Sequence, residues 1–302
     1  MDDTKVRVNS AKAWFLAARP KTLSGAAVPV MIGAALATGA FGAEAGMMPL
    51  VLCLLFAFFM QIDANLVNDY FDFMKGTDDD TRLGPKRACA QGWITASAMR
   101  TGIAVTTVLA CLCGLPLVLY GGWEMIMVGL ACVVFCFLYT ITLSYIGLGD
   151  VLVLVFFGLV PVSMTYWLMS PPSSLTDIPA YVVLVSLACG CVIDTLLVIN
   201  NYRDIDGDRR AGKRTLIVKI GEGGGRCLYL MLGFVAVLLN AIAVSGHGMW
   251  AALLPLAYIP FHVSASMQIW KIRKGAALNR VLGMTARNMV IYGLAVSCGL
   301  LL

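Results

Sequence analysis

Residues 50–67 read "LVLCLLFAFFMQIDANLV", a run apolar enough to lie in lipid, and residues 68–80 follow directly as "NDYFDFMKGTDDD". The second segment places Asp69 and Asp72 where the apolar run ends, and three more aspartates come after them. A charged side chain is costly in a membrane, and it usually marks a functional site when it occurs there. The stretch therefore predicts a membrane-spanning helix with a functional acidic motif at one end.

The composition of the whole chain indicates a polytopic membrane protein. Of its 302 residues, 60% are hydrophobic and only 13% are charged, with a mean hydropathy of +0.84. A spanning helix needs about 20 apolar residues, which predicts an all-α bundle of about nine transmembrane helices in one domain, residues 1–302. The predicted spans are 14–39, 49–71, 94–120, 123–143, 150–170, 179–202, 225–246, 249–270 and 281–302.

The lysines and arginines predict the orientation of the bundle. All 22 of them fall in the N-terminal segment, after span 2, after span 6, or around the loop before span 9. With nine spans these four segments lie on one side, which the positive-inside rule makes cytoplasmic. We therefore expect an integral protein of a bacterial cytoplasmic membrane, in contact with the lipid bilayer and with its N-terminus on the cytoplasmic side. The net charge of +5 then describes the cytoplasmic face and does not indicate nucleic acid as a partner.

A polar stripe runs along span 2 toward the acidic motif. On a helix, residues three, four and seven apart share a face, and this spacing joins Gln61, Asn65, Asn68, Asp69 and Asp72. Lipid cannot satisfy such side chains, so the stripe must face the bundle interior or a water-filled cavity.

A second acidic segment follows span 6. Residues 200–215 read "NNYRDIDGDRRAGKRT", and "NNYRD" aligns with "NDYFD" of residues 68–72. Spans 2 and 6 run in the same direction, which is consistent with two parallel four-helix repeats plus one helix. Both acidic helix ends, each followed by a basic loop, are predicted on the same side.

Carboxylates and basic side chains together suit a magnesium–diphosphate site. Magnesium prefers oxygen ligands and commonly bridges to substrate phosphates, while basic side chains bind the remaining phosphate oxygens. An apolar cavity continuing into the bilayer would hold a hydrocarbon tail. The residues therefore predict a polyprenyl diphosphate as substrate and Mg²⁺ as cofactor.

Four segments carry a resemblance to the UbiA superfamily of intramembrane prenyltransferases. They are "WFLAARPKTLSGAAVPV" (14–30), "NDYFDFMKGTDDDTRLGPKRACAQGWIT" (68–95), "GLGDVLVLVFFGLVPV" (147–162) and "NNYRDIDGDRRAGKRTLIVKIG" (200–221). Within the superfamily the chain most resembles the polyprenyltransferases of menaquinone synthesis. That resemblance implies transfer of a polyprenyl group to 1,4-dihydroxy-2-naphthoate, with loss of CO₂ and diphosphate, to give a demethylmenaquinone.

The resemblance also implies roles for individual residues. The catalytic aspartates would be Asp69, Asp72, Asp204 and Asp208, which together with Asn68 would be the metal ligands. The candidates for the diphosphate are Arg19, Lys21, Arg82, Arg87 and Lys213. The candidates for the prenyl and aromatic pocket are Asn65, Tyr70, Tyr139, Tyr145 and Asn201.

The chain departs from the superfamily pattern at two places. Gly76 stands where many members have a third aspartate, so we expect Asp78 to assist from the loop. Residues 140–150 contain no lysine or arginine, which favours the dihydroxynaphthoate branch and leaves Asp150 either to bind substrate or to cap helix 5.

Two other functions are compatible with parts of the sequence. A UbiA-type enzyme acting on 4-hydroxybenzoate or homogentisate would have similar motifs, because residue chemistry alone does not specify the acceptor. An ion-coupled transporter would also have intramembrane acids and repeats, and Asp63 and Asp194 would favour it. A carrier, however, holds its charged site near the bilayer midplane, whereas the two motifs lie at helix ends.

Overall fold

The computed structural model describes residues 6–76, 83–171 and 173–302. Within these ranges nine helices are long and apolar enough to cross a membrane, which confirms the predicted architecture. The helices are α1 (Ala11–Glu44), α2 (Met47–Met74), α3 (Ala96–Gly121), α4 (Glu124–Leu143), α5 (Gly149–Met169), α6 (Ala180–Arg203), α7 (Leu216–Ala243), α8 (Met249–Ile272) and α9 (Leu278–Leu301).

The outer surface of the bundle is apolar, as expected of an integral membrane protein. Large hydrophobic side chains such as Leu112, Leu119 and Leu130 are exposed. A soluble monomer rarely presents contiguous apolar surface of this kind, and a bilayer accommodates it at no cost. The exposed apolar surface therefore belongs in lipid, and the polar side chains discussed below lie within the bundle.

Helix α1 is broken near its beginning. It consists of a short helix, Ala11–Ala18, and a longer one, Ser24–Phe41, and Arg19 between them has a φ of 50°. The amide of Asn65 on α2 donates to the Ala18 carbonyl (3.0 Å) and to Thr22 Oγ1 (2.8 Å). Asn65, predicted in the substrate pocket, lies on the side of α2 that faces α1. Its two hydrogen bonds therefore stabilise the break in α1.

Helix α7 begins earlier than the predicted limit of residue 225. The glycines of residues 221–226, "GEGGGR", predict a flexible joint before this helix. In the structure only Gly221 leaves helical geometry, with a φ of 74°. Gly225 lies against Tyr202 and Ile217, where a Cβ atom would be 3.1–3.2 Å from both side chains. The glycines therefore mark one kink and one close helix contact inside α7.

Helices α5 and α6 approach each other closely along small residues. A Cβ atom on Gly158 would lie 2.6 Å from the Cα of Gly190 and 2.7 Å from the Ser186 carbonyl oxygen. The hydroxyls of Ser163 and Ser186 are 2.9 Å apart in the same contact. Close backbone approach through small side chains is a common means of helix association in membranes, and it places the motif-bearing end of α6 relative to α5.

We predict that Gly158→Ala destabilises the bundle by about 1–3 kcal/mol, the usual cost of overpacking a core. The added methyl group would have to displace backbone atoms of α6, not a flexible side chain. The measurement is the Tm of the purified protein in detergent. Gly129→Ala is the matched control, because no atom lies within 4 Å of the added Cβ atom at that position. Equal Tm values for the two variants would contradict the prediction.

Candidate active site

The ends of α2 and α6 meet on one side of the bundle through Lys213, which follows α6. Its ammonium lies 3.4 Å from Asp72 Oδ1, and Arg87 Nη2 lies 3.4 Å from the other oxygen of the same carboxylate. Burial alone would lower the pKa of Lys213, but Asp72, Tyr145 and Asp208 outweigh it, so that the pKa is raised. One cationic side chain is therefore held by acids from both motifs.

The polar stripe on α2 divides between two directions. Asn68 lines a central cavity, and its Oδ1 atom accepts a hydrogen bond from Thr140 Oγ1. Asp69 points elsewhere: its two carboxylate oxygens accept from the backbone N–H groups of Ala88 and Cys89, each at 2.8 Å. Asp69, predicted as a metal ligand, thus binds the loop after α2, because one helical step turns it about 100° from Asn68.

Asp204 of the second motif is held by its neighbour. Arg203 Nε donates to Asp204 Oδ1 at 2.8 Å, and Arg203 Nη2 donates to Asp204 Oδ2 at 2.5 Å. The Arg203 side chain is fully buried, whereas that of Asp204 is 20% exposed. Asp204 therefore has a fixed orientation with part of its carboxylate still accessible.

Asp208 lies one turn further on, in the short helix Ile205–Arg210. Its backbone N–H donates to the Asp204 carbonyl, and its own carbonyl accepts from the Lys213 N–H, both at 2.8 Å. This local hydrogen bonding turns the chain back after α6. The turn places the ammonium of Lys213 near Asp72.

A cavity of about 660 Å³ opens below these charges. Arg19, Asn68, Arg87 and Asn200 line its polar end. Its apolar walls extend between α2, α4, α5 and α6 as far as Met125 near the opposite end of α4. The further lining residues include Phe56, Met60, Phe135, Phe156 and Phe157. A ligand with an anionic head and a long apolar tail fits this shape.

The three tyrosines predicted at the pocket have different positions. Tyr139 lines the cavity beside Gly149. Tyr145 lies between two ammonium groups, with Lys75 Nζ 3.9 Å and Lys213 Nζ 4.8 Å from its ring centroid. Tyr70 instead packs against Phe71 among apolar residues on another face of α2. The structure therefore brings Tyr139 and Tyr145, but not Tyr70, to the candidate site.

The predicted basic residues also separate. Arg19 and Arg87 line the polar end of the cavity, and Arg19 Nη2 lies 3.8 Å from Asp69 Oδ2. Lys21 is exposed and is absent from the cavity lining among the described residues. Arg82 lies outside the described residues, as does Asp78. The structure thus supports Arg19, Arg87 and Lys213 as neighbours of a bound anion.

Sequence reasoning missed three side chains at the site. Asn200, not the predicted Asn201, lines the cavity, because the two differ by one helical step. Arg203 occupies the variable position of the shared motif, and the corresponding residue in the first copy is Phe71. Lys75 donates to the Ile141 carbonyl oxygen at 2.7 Å. Burial lowers the pKa of Lys75, an effect that Asp72 partly offsets.

The donor set suits a metal that is shared with a substrate. In the described parts of the chain, no three His, Cys, Asp or Glu side chains are close enough to hold an ion by themselves. Magnesium commonly takes one or two carboxylates and completes its shell with water and substrate phosphates. Asn68 and Asp72 on one side and Asp204 and Asp208 on the other supply oxygen donors of this kind, and the pKa of Lys213 is raised because Asp72, Tyr145 and Asp208 surround its ammonium.

Of the other intramembrane acids, Asp63 is hydrogen-bonded, whereas one carboxylate oxygen of Asp150 and one of Asp194 are buried without a hydrogen-bond partner among the described residues. Both carboxylate oxygens of Asp63 accept hydrogen bonds, from Thr106 and Thr107 of α3, so this carboxylate is satisfied away from the cavity. At the start of α5 the N-cap is Leu148, with no side-chain cap hydrogen bond, so Asp150 does not cap the helix by such a bond. Asp150 interacts electrostatically with Asp194 of α6.

The fold is a helical membrane bundle, and its site has acidic and basic side chains at the entrance to an apolar cavity. These features indicate a membrane protein that binds amphiphilic anions. The chain belongs to the UbiA prenyltransferase family, whose family model matches residues 26–290.

Named relatives match the chain over nearly its whole length. It is 34% identical to the 1,4-dihydroxy-2-naphthoate octaprenyltransferase of Escherichia coli, with 99% of this chain and 98% of the relative covered. It is 33% identical to the enzyme of the same name from Mycobacterium tuberculosis, with 94% and 95% covered. It is 31% identical to human UbiA prenyltransferase domain-containing protein 1, with 96% and 83% covered.

Solved structures share the fold. A UbiA homologue from Aeropyrum pernix K1 aligns with a TM-score of 0.72 at 16% identity, covering 92% of this chain and 98% of that one. A UbiA homologue from Archaeoglobus fulgidus, solved with DMAPP and Mg²⁺ bound, aligns with a TM-score of 0.63 at 13% identity, covering 94% and 99%.

Proposed function

We propose that this chain transfers a polyprenyl group from polyprenyl diphosphate to 1,4-dihydroxy-2-naphthoate, with loss of CO₂ and diphosphate, in a Mg²⁺-dependent reaction. The observation that carries the proposal is the meeting of the two motifs. The Lys213 ammonium, after α6, lies 3.4 Å from one oxygen of Asp72 on α2, and the other oxygen of Asp72 lies 3.4 Å from Arg87, which lines the polar end of an apolar cavity. The acceptor is supported by the relatives named for that reaction, which match the chain at 32–34% identity.

Four side chains would hold magnesium in this proposal: Asn68 and Asp72 from α2, and Asp204 and Asp208 from the second motif. A magnesium ion bound there would neutralise negative charge on the departing diphosphate. Arg203 fixes the Asp204 carboxylate through two hydrogen bonds and leaves lone pairs on both oxygens for a cation. Asp69 contributes indirectly, by holding residues 88 and 89 beside the site.

Arg19, Arg87 and Lys213 would bind the diphosphate oxygens. Arg19 and Arg87 line the polar end of the cavity, and charge-assisted hydrogen bonds from such side chains are roughly twice as strong as neutral ones. Lys213 can exchange its contact with Asp72 for a phosphate oxygen once another cation neutralises that carboxylate. Lys213 would then pair with Asp72 in the free site and with the diphosphate in the substrate-bound site.

The apolar walls and Tyr139 would contact the reacting carbons. The bond between the allylic carbon and diphosphate breaks, and its electron pair leaves with the diphosphate. The naphthoate ring carbon that carries the carboxylate forms the new bond, and loss of CO₂ returns an electron pair to the ring. Phe135, Phe156 and Tyr139 line this part of the cavity, where aromatic faces stabilise positive charge and apolar side chains exclude water that would capture an allylic cation.

We further propose that the site faces the cytoplasm of a bacterial cell. The loops after α2 and α6, together with the segment before α9, carry the lysines and arginines and lie at the motif end of the bundle. Basic loops of membrane proteins remain on the cytoplasmic side. The water-soluble naphthoate acceptor would then reach the site from the compartment in which it dissolves.

The test uses purified protein in liposomes with Mg²⁺ and a radiolabelled polyprenyl diphosphate. Dihydroxynaphthoate and 4-hydroxybenzoate are offered in separate reactions, and the naphthoate carries a second label in its carboxylate. We expect a prenylated naphthoquinol, labelled CO₂ released in equal amount, and loss of both products in excess EDTA.

Each other result has a defined meaning. Prenylation of 4-hydroxybenzoate alone would change the acceptor and keep the prenyl transfer. Transfer that persists in EDTA would remove magnesium from the proposal. Failure to prenylate either acceptor would overturn the proposed function.

A further inference from the structure

The first turn of α9 contacts both motif-bearing segments through one side chain, Asn279. Its Oδ1 atom accepts a hydrogen bond from Arg203 Nη1 at 2.8 Å. Its Nδ2 atom donates to the backbone carbonyl of Leu83 at 2.7 Å. Arg203 belongs to the second motif, and Leu83 lies in the loop after the first, so one amide joins the two halves of the candidate site.

On the side of the second motif, Arg203 extends this contact to Asn200, which lines the cavity, and to Asp204. Its Nη2 atom donates to Asn200 Oδ1 at 2.8 Å as well as to Asp204, and its Nε atom completes the pair with Asp204. All three guanidinium nitrogens are therefore engaged, and the side chain is fully buried. A buried fork of this kind has one orientation, which Asn279 helps to fix.

On the side of the first motif, Leu83 begins a segment that is held at both ends. Asn279 binds the Leu83 carbonyl, and Asp69 binds the N–H groups of Ala88 and Cys89. Arg87 lies between these two attachments and contacts Asp72 at 3.4 Å. A shift of residue 83 would therefore be transmitted to the Arg87 guanidinium at the polar end of the cavity.

We propose that Asn279 is a positioning residue that sets the separation of the two half-sites. It touches neither substrate nor metal, and it acts through Arg203 on Asp204 and through Leu83 on Arg87. The inference rests on the proposed function, since it assumes that the two motifs act on one magnesium–diphosphate group. It also gives the first turn of α9 a role at the active site.

The physical argument is that neighbours of metal ligands orient those ligands. Arg203 is such a neighbour of Asp204, and removing a neighbour of this kind typically weakens metal affinity or activity by 10- to 100-fold. Asn279 in turn orients Arg203. In Asn279→Ala all the carboxylates remain, but Arg203 loses one acceptor and the Leu83 carbonyl loses its donor. We therefore expect the Mg²⁺ concentration for half-maximal prenyl transfer to rise about 10-fold.

The second readout does not depend on activity. Lys86 is exposed and Arg87 is buried, so trypsin cleavage within residues 83–89 reports opening of the tethered segment. Asn279→Ala should be cleaved about 10-fold faster than wild type in the absence of substrate, because a lost hydrogen bond of about 1.4 kcal/mol corresponds to that factor. Asn279→Asp should be cleaved as fast, since it keeps an acceptor for Arg203 but has no donor for Leu83.

Asn288→Ala is the matched control on the same helix. Asn288 is buried, whereas Asn279 is half-buried. Like Asn279, it accepts from an arginine (Arg287 Nη2, 3.3 Å) and donates to a backbone carbonyl (Phe261, 2.9 Å). It lies nine residues beyond Asn279, or roughly 13 Å along the helix at 1.5 Å per residue. Its loss should lower the Tm without changing the Mg²⁺ dependence or the cleavage of residues 83–89.

The outcomes separate this inference from the proposed function. If Mg²⁺ dependence and cleavage in Asn279→Ala match those of Asn288→Ala, while wild type shows Mg²⁺-dependent transfer, the bridge is wrong and the proposed function stands. If wild type itself shows no Mg²⁺-dependent transfer, the proposed function fails and the inference fails with it. A specific change in both readouts supports the bridge.

Discussion

Asp72→Asn is expected to abolish prenyl transfer while leaving the protein folded and inserted, because the amide oxygen keeps an acceptor beside the buried Arg87. The carboxylate lies between Arg87 and Lys213, each 3.4 Å away, and in our proposal it would bind magnesium. Loss of a metal-held charge removes several kcal/mol of stabilisation from the departing diphosphate, and three factors of 1.36 kcal/mol reduce the rate about 1,000-fold. The measurements are kcat with saturating substrates and the Tm of the same preparation.

Asp69→Ala provides the comparison three residues earlier on the same helix. Its carboxylate binds two backbone N–H groups of the loop, and an unsatisfied buried donor costs about 1–3 kcal/mol. We expect this variant to lose Tm and activity together, whereas Asp72→Asn keeps its Tm. A normal rate for Asp72→Asn would exclude that residue from the metal site, and a normal Tm for Asp69→Ala would exclude the loop contact.

Asp204→Asn is expected to lose activity about 1,000-fold by the same charge argument. The asparagine replaces the alanine that the sequence alone would suggest, because Arg203 is buried against this carboxylate. Removing one partner of a buried pair costs about 3–5 kcal/mol, so Asp204→Ala would combine a folding defect with a catalytic one. Asparagine removes the charge and keeps one oxygen as an acceptor for the guanidinium, so that one of the two hydrogen bonds from Arg203 remains.

Asp206→Asn is the control for that prediction. Asp206 lies two residues further, is 52% exposed and pairs with Lys274 at 3.0 Å on the surface. Exposed pairs contribute little, about 0–1 kcal/mol, so this variant should have nearly wild-type kcat and Tm. The prediction for Asp204 fails if Asp204→Asn and Asp206→Asn are equally active.

The number and order of the spans were accessible from the sequence, because lipid imposes a length and an apolar composition on every segment that crosses it. The beginning of α7 was not, since a run of glycines suits a loop and a close helix contact equally well. Gly221 breaks the geometry, but Gly225 is helical and packs against Tyr202. Only the position of a neighbouring helix distinguishes these cases.

The site was predictable in outline for a related reason. The acidic motifs placed two charged helix ends on the same side, but the helical period alone does not specify which edge of a polar stripe faces a cavity. Asn68 lines the cavity, whereas Asn65 and Asp69 bind backbone of neighbouring segments. Asn279 gave no signal in the sequence, because its partners lie 76 and 196 residues away along the chain.

Helix α4 is a wall that touches the cavity on one face and lipid on the other. Of its residues, all of which the structure describes, only Met125 and Thr140 are buried. Lipid acyl chains therefore provide much of the packing that holds α4 in place. The width of the apolar cavity should then depend on the surrounding lipid or detergent. Kinetic constants measured in short-chain micelles and in vesicles would therefore refer to cavities of different shape.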